Sequence, residues 1–181
     1  TACYELLRRR VPFIVACDNG QDETYTFEDV ANLVRKARND LAADIRFLSR
    51  AEIEKRVAPD LHSAIGVFED FTVTTDADNA RGLTRELARA HAVLADVFFE
   101  DSQQPGSMIL FIKPSVRGDE SLDILQYRLQ HPTFPQESTT DQFFDEAQWE
   151  SYRALGEHIG RKLFRRTLHA GGWSPSSLSR P

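Results

Sequence analysis

Five apolar residues in a row, Phe13-Ile-Val-Ala-Cys17, end abruptly at Asp18-Asn19-Gly20. A run that short and that continuous suits a strand buried on both faces, as in a parallel sheet, and the turn residues close it. Beyond the turn, Thr26 offers an N-cap with Asp29 three residues on. Phe27, Val30, Ala31, Val34, Ala37 and Leu41 then recur at helical spacing, with acids early and bases late, as the helix dipole favours. Ile45 to Leu48 is a second short strand. Strand, crossover helix, strand makes a βαβ unit, right-handed by default, and so an α/β fold.

The remaining segments extend this pattern. Ala51 to Val57 reads as a helix stopped near Pro59, Ile65 to Thr75 holds a β-favouring stretch, and Asp76 to Gly82 is polar and loop-like. Residues 49–88 as a whole read as a variable insertion. Ala90 to Phe99 and Met108 to Lys113 are two apolar runs around a polar turn with Pro105-Gly106, which predicts a β-hairpin with a long loop. Asp119 to Gln130 is a short helix closed by Pro132. Thr139 or Thr140 then caps a long C-terminal helix, with an apolar stripe of Phe144, Ala147, Tyr152, Leu155, Ile159 and Leu163, ended by Gly171-Gly172. Residues 173–181 read as a flexible tail.

With 181 residues, 41% of them hydrophobic, the chain has enough material for one core, and residues 1–172 are assigned to one domain. The formal net charge of −6 argues against a nucleic-acid partner. No apolar run approaches the roughly 18 residues of a membrane span. Basic residues cluster at Arg8–Arg10 and at Arg161, Lys162, Arg165 and Arg166; such runs are usually a solvated helix face, the sharper reading being contact with anionic lipid or another domain. Cys3 and Cys17 set no disulfide framework, and Cys17, inside an apolar run, reads as a buried thiol of a reducing compartment.

Motifs for chemistry are sparse. No Gly-x-Ser-x-Gly elbow occurs, and Ser107, Ser115 and Ser138 lack the flanking glycines that let such a turn expose its serine. His62, His91, His131, His158 and His169 show no pair at metal-ligand spacing, so no metal site is read, and no cofactor is implied. Asp76-Ala-Asp78-Asn79 departs from a calcium loop at Ala80 and Arg81. Asp18 and Asn19 are candidates for a substrate-site rim on topological grounds, because α/β sheets bind ligands at the carboxyl ends of their strands. Arg38 falls on the apolar side of its helix and needs a partner such as Asp40 or Asp44. Tyr127 with Phe143, Phe144, Trp149 and Tyr152 is a core cluster first and a lipid or ligand surface second.

Three stretches go further: YELLRRRVPFIVACD with TFEDVANLVRKARNDL, LFIKPSVRGDES, and HPTFPQESTTDQFFDEAQWESYRALGEHIG. In this order they resemble the C-terminal part of long bacterial patatin-like phospholipases, serine acyl hydrolases. Gln136 stands where that resemblance places His after Phe-Pro. The resemblance implies a three-layer α/β/α fold and ester hydrolysis by a Ser–Asp dyad located upstream of Thr1. It therefore assigns no catalytic residue here and makes the chain a scaffold, inactive alone. Its partner would be the N-terminal catalytic portion or a second copy, in a cytoplasmic enzyme that meets lipid or a membrane surface peripherally. The alternatives are a non-catalytic interaction module and a small-ligand binder near Asp18.

Overall fold

A computed structural model of the chain describes residues 2–71, 74–76, 85–100, 102–138, 140 and 143–169. Its centre is a hairpin of β6 (Ala92–Phe99) and β7 (Ser107–Ile112), in antiparallel register with Leu94 opposite Leu110. β1 (Phe13–Cys17) lies parallel to β7, and β2 (Ala43–Phe47) lies antiparallel to β6. A two-residue β3 (Ile65–Gly66) extends the sheet beside the start of β6. The sheet is therefore mixed, in the order β1-β7-β6-β2 with β3 next to β2's edge of β6. A separate ribbon pairs β4 (Thr74–Asp76) with β5 (Arg85–Leu87).

The expected βαβ unit is split. β1 and β2 run in the same sense, since both lie opposite in sense to β6, but the whole hairpin sits between them. The helix joining them, α2 (Glu28–Leu41), packs Val30, Leu33 and Ala37 under the sheet. α1 (Ala2–Arg8) joins it there through Leu7. The other face is covered by α3 (Arg50–Arg56), α4 (Leu122–Gln130) and α5 (Glu146–His169). Period-two alternation sorts the hairpin between these two cores. Val93, Ala95 and Val97 face α1 and α2, whereas Ala92, Leu94 and Leu110 face α3, α4 and α5. Helices on both faces make the arrangement a three-layer one.

Several sequence expectations are corrected. Thr26 does not cap α2: Phe27 is the N-cap, at φ 53°, and the Asp22 carboxylate takes the free N–H groups of Thr26 and Phe27. Arg38 is exposed, on the solvent side of α2 rather than its buried side. Cys17 is exposed too, as is Val15 on the same face, because among the described residues β1 is an edge strand of the sheet. α5 begins at Glu146, where Asp145 Oδ1 accepts from Gln148 N at 2.7 Å, and not at Thr140; Thr139 lies outside the described residues. Gly171-Gly172, the tail 173–181 and the loop 77–82 lie outside them as well.

Residues 49–71 are built into the core. Ser49 and Glu52 form a reciprocal capping box at the start of α3. Ile53, Val57, Leu61 and Ile65 then pack under the hairpin. The FEDF segment, expected as strand, winds into a 3₁₀ turn over Phe68–Phe71. Gly66 is required where it stands: a Cβ there would lie 2.5 Å from Asp70 Oδ2 and 2.8 Å from Ala90 Cβ.

α3 is fastened to β6 by a two-pronged ion pair. Arg56 Nη1 and Nη2 donate to the buried Asp96 carboxylate at 2.6 and 2.9 Å. Replacing Arg56 by Ala strands a buried carboxylate, and urea unfolding should show a loss of about 3–5 kcal/mol. A loss near the ~0–1 kcal/mol of a surface pair would show that Asp96 is solvated.

Candidate functional site

The parallel strands β1 and β7 end side by side, and the chain after each holds the other in place. Asp18 N continues the ladder to Ile112 O at 2.9 Å. Lys113, the residue after β7, is only 2% exposed, so its ammonium needs partners inside the protein. It donates to Asp18 Oδ2 at 3.0 Å and to Gly20 O at 3.4 Å, with Asp22 Oδ2 at 4.0 Å. Asp18 also accepts from Gly20 N at 3.0 Å. Asp22 in turn accepts from Thr26 N, the Thr26 hydroxyl and Phe27 N at 2.8–3.0 Å. One buried ammonium thus anchors the loop that leads from β1 into α2.

A cavity of about 450 Å³ opens next to this loop. Asn19, Pro114 and Pro135 form one side, and Trp149, Tyr152 and Ile159 of α5 form the other. The lining is mostly apolar, with polar groups at its margin. The Tyr152 hydroxyl donates to Glu137 Oε2 at 3.0 Å, and Gln148 Nε2 donates to the same oxygen at 3.1 Å. Burial first, and this carboxylate second, push the Tyr152 phenol up. Gln136 is buried and donates to Pro114 O at 2.7 Å, which fixes the cavity wall.

The two predicted rim residues divide. Asn19 lines the cavity, whereas Asp18 is engaged with Lys113. The aromatic cluster divides as well. Tyr127 is core, Phe144 stacks on Tyr152 at 5.7 Å, and Trp149 and Phe143 are 62% and 94% exposed.

A serine–histidine pair lies deeper. His91 Nδ1 is 3.1 Å from Ser115 Oγ, and both residues are buried. The pair is not a nucleophile and its base. Ser115 gives its one proton to Ala90 O at 3.0 Å, so Nδ1 carries the hydrogen and donates to Oγ. Burial, then the charges of Arg117 and His158, push the His91 imidazole down to about 3. A neutral donor imidazole cannot take the serine proton.

The other ring nitrogen, His91 Nε2, is buried without a hydrogen-bond partner, as is His158 Nε2. Such an atom costs about 1–3 kcal/mol. His158 Nε2 lies 3.3 Å from Asp119 Oδ1 but is not aligned to bond it. Sequence spacing gave no sign of this group or of Lys113. Its members come from the entry to β6, the β7–α4 loop and α5, and only the fold brings them together.

Asp22 generates a pH dependence. Burial raises its carboxyl pKa, but the Phe27 and Thr26 hydrogen bonds and the Lys113 charge outweigh that and hold it below the usual value. Its stabilisation is therefore complete above the unfolded-state pKa of about 3.9 and is lost as pH falls through the lower folded value. Asp22→Asn should lower Tm at pH 7, and the gap to wild type should close below about pH 4. A gap that persists unchanged at pH 2.5–3 would assign the effect to shape rather than charge.

No protein-family model matches the chain, and no curated protein or solved structure matches it.

Proposed function

We propose that the chain is the scaffold portion of a patatin-like lipid acyl hydrolase, completed by a segment that carries the Ser–Asp dyad and the oxyanion donors. The observation that carries this reading is β1. Its five residues are all apolar and pair in parallel with β7, yet the strand stands at the sheet's edge with Val15 43% exposed and Cys17 exposed. Parallel strands are normally covered on both faces and flanked by neighbours, and an apolar edge whose nearest proline and charge, Pro12 and Asp18, lie just outside the strand remains a template for another strand. A further strand beside β1, with helices above it, would turn this edge into an interior position.

The three stretches that resemble patatin-like enzymes fall on α1, β1, α2, the end of β7 and α5; among these, α5 and Pro114 after β7 line the cavity. An apolar cavity lined by the exposed Phe144 and Trp149 suits an acyl chain or a lipid surface. No helix among the described residues is long and apolar enough to cross a membrane; the scaffold reading itself places the chain in the cytoplasm, with peripheral contact to lipid. Asn19 in the cavity wall favours a second reading, a binder of a small apolar ligand at the strand ends.

A serine-directed fluorophosphonate separates these readings. The chain alone should stay unlabelled and should self-associate through its open edge in light scattering. Coexpression with the dyad-bearing segment should give a labelled complex. Strong labelling of the chain alone, or a monodisperse monomer at high concentration that ignores that segment, would overturn the scaffold reading.

A further inference from the structure

The four side chains around the unpartnered imidazoles form one cluster. One donor atom from each of His91, Asp119, Glu120 and His158 lies within 4.8 Å of all the others. Three of the four donors, those of His91, Glu120 and Asp119, are aimed by a second contact. His91 gives its Nδ1 hydrogen to Ser115, which leaves the Nε2 lone pair facing the cluster. Glu120 is buried and accepts from Arg117 N at 2.8 Å and Gly118 N at 2.7 Å. Gly118, at φ 94°, supplies the left-handed turn that brings both N–H groups onto this carboxylate. Asp119 is divided: Oδ2 takes Lys162 and Arg117, while Oδ1 faces His158.

The geometry points to a binding site for a divalent transition-metal ion of the zinc class, held by His91 Nε2, His158 Nε2, Asp119 Oδ1 and a Glu120 oxygen. Neutralisation of Asp119 by Lys162 and Arg117 does not account for the cluster, because it leaves both imidazole nitrogens without partners. An ion satisfies all four groups together. Two imidazoles with two carboxylates select zinc and its neighbours over calcium or magnesium, which take oxygen alone, and over thiolate-seeking ions. Zinc ligands sit about 2.0–2.2 Å from the ion, so tetrahedral donors lie about 3.3–3.6 Å apart. Closing the cluster therefore takes movement of about 1 Å, which the half-exposed Asp119 can supply. Four protein donors fill the tetrahedron, which makes the site structural. It would clamp α5, and with it one wall of the cavity, to the loop after β7.

The test uses the full chain, stripped with EDTA, desalted and titrated with Zn²⁺ by calorimetry and with Co²⁺ by visible absorption. The site predicts one saturable equivalent, a rise in Tm, and the intense visible bands of tetrahedral cobalt. His158→Gln and Asp119→Asn change groups that reach solvent, and circular dichroism confirms their fold if His91→Asn fails to fold. Each should weaken zinc binding about tenfold or more and abolish the cobalt bands, whereas His131→Gln should change neither. Absence of saturable uptake by the folded wild type would overturn the assignment, as would wild-type zinc affinity in the two folded ligand variants.

Discussion

The β6–β7 hairpin is the constraint on which the other elements depend. Its residues are buried almost without exception, so neither face of the sheet can meet water. Alternation then sends Val93, Ala95 and Val97 to one side and Ala92 and Leu94 to the other, and each set needs a helical cover. α1 and α2 supply one cover, and α3, α4 and α5 the other. The buried charge on the hairpin, Asp96, is matched by the two-pronged Arg56, so the anchoring of α3 follows from the same burial. A hairpin in this position also forces the flanking strands apart, which is why β1 and β2 share a direction without touching.

The hairpin's end sets up the candidate site. Where β7 stops, Lys113 is still inside the protein, and its charge draws Asp18 and the loop before α2 against the strand ends. Residues that follow, Pro114 and Ser115, then serve different purposes. Pro114 lines the cavity and accepts from Gln136, while Ser115 orients His91 towards the cluster on α5. A few residues of one loop thus connect the sheet, the cavity and the imidazole pair.

Local periodicity made β1, α2, β2, the hairpin and α4 legible, because each is specified by residues next to one another in the chain. What sequence could not give was the identity of neighbours. Phe13-Ile-Val-Ala-Cys17 reads as an interior strand, and only the strand order places Cys17 at an edge. Thr26 looks like a cap, but Phe27 takes the N-cap position, and the Asp22 carboxylate holds the turn by accepting from Thr26 N and Phe27 N. Arg38 differs from Ala37 by one helical step, enough to move it from the core to solvent. Of the site, the turn at Asp18-Asn19 was visible as chemistry at a strand end. His91, Asp119, Glu120 and His158 carry no common spacing and converge only through tertiary packing.

The central claim is that β1 is an interior strand of a larger sheet. Hydrogen exchange at the backbone amides of Val15 and Cys17, which both point away from β7 because Asp18 N bonds Ile112 O, measures this directly. The account predicts rapid exchange in the chain alone and strong protection once the dyad-bearing segment is joined or bound. Equal protection in both states, or rapid exchange in both, would contradict it.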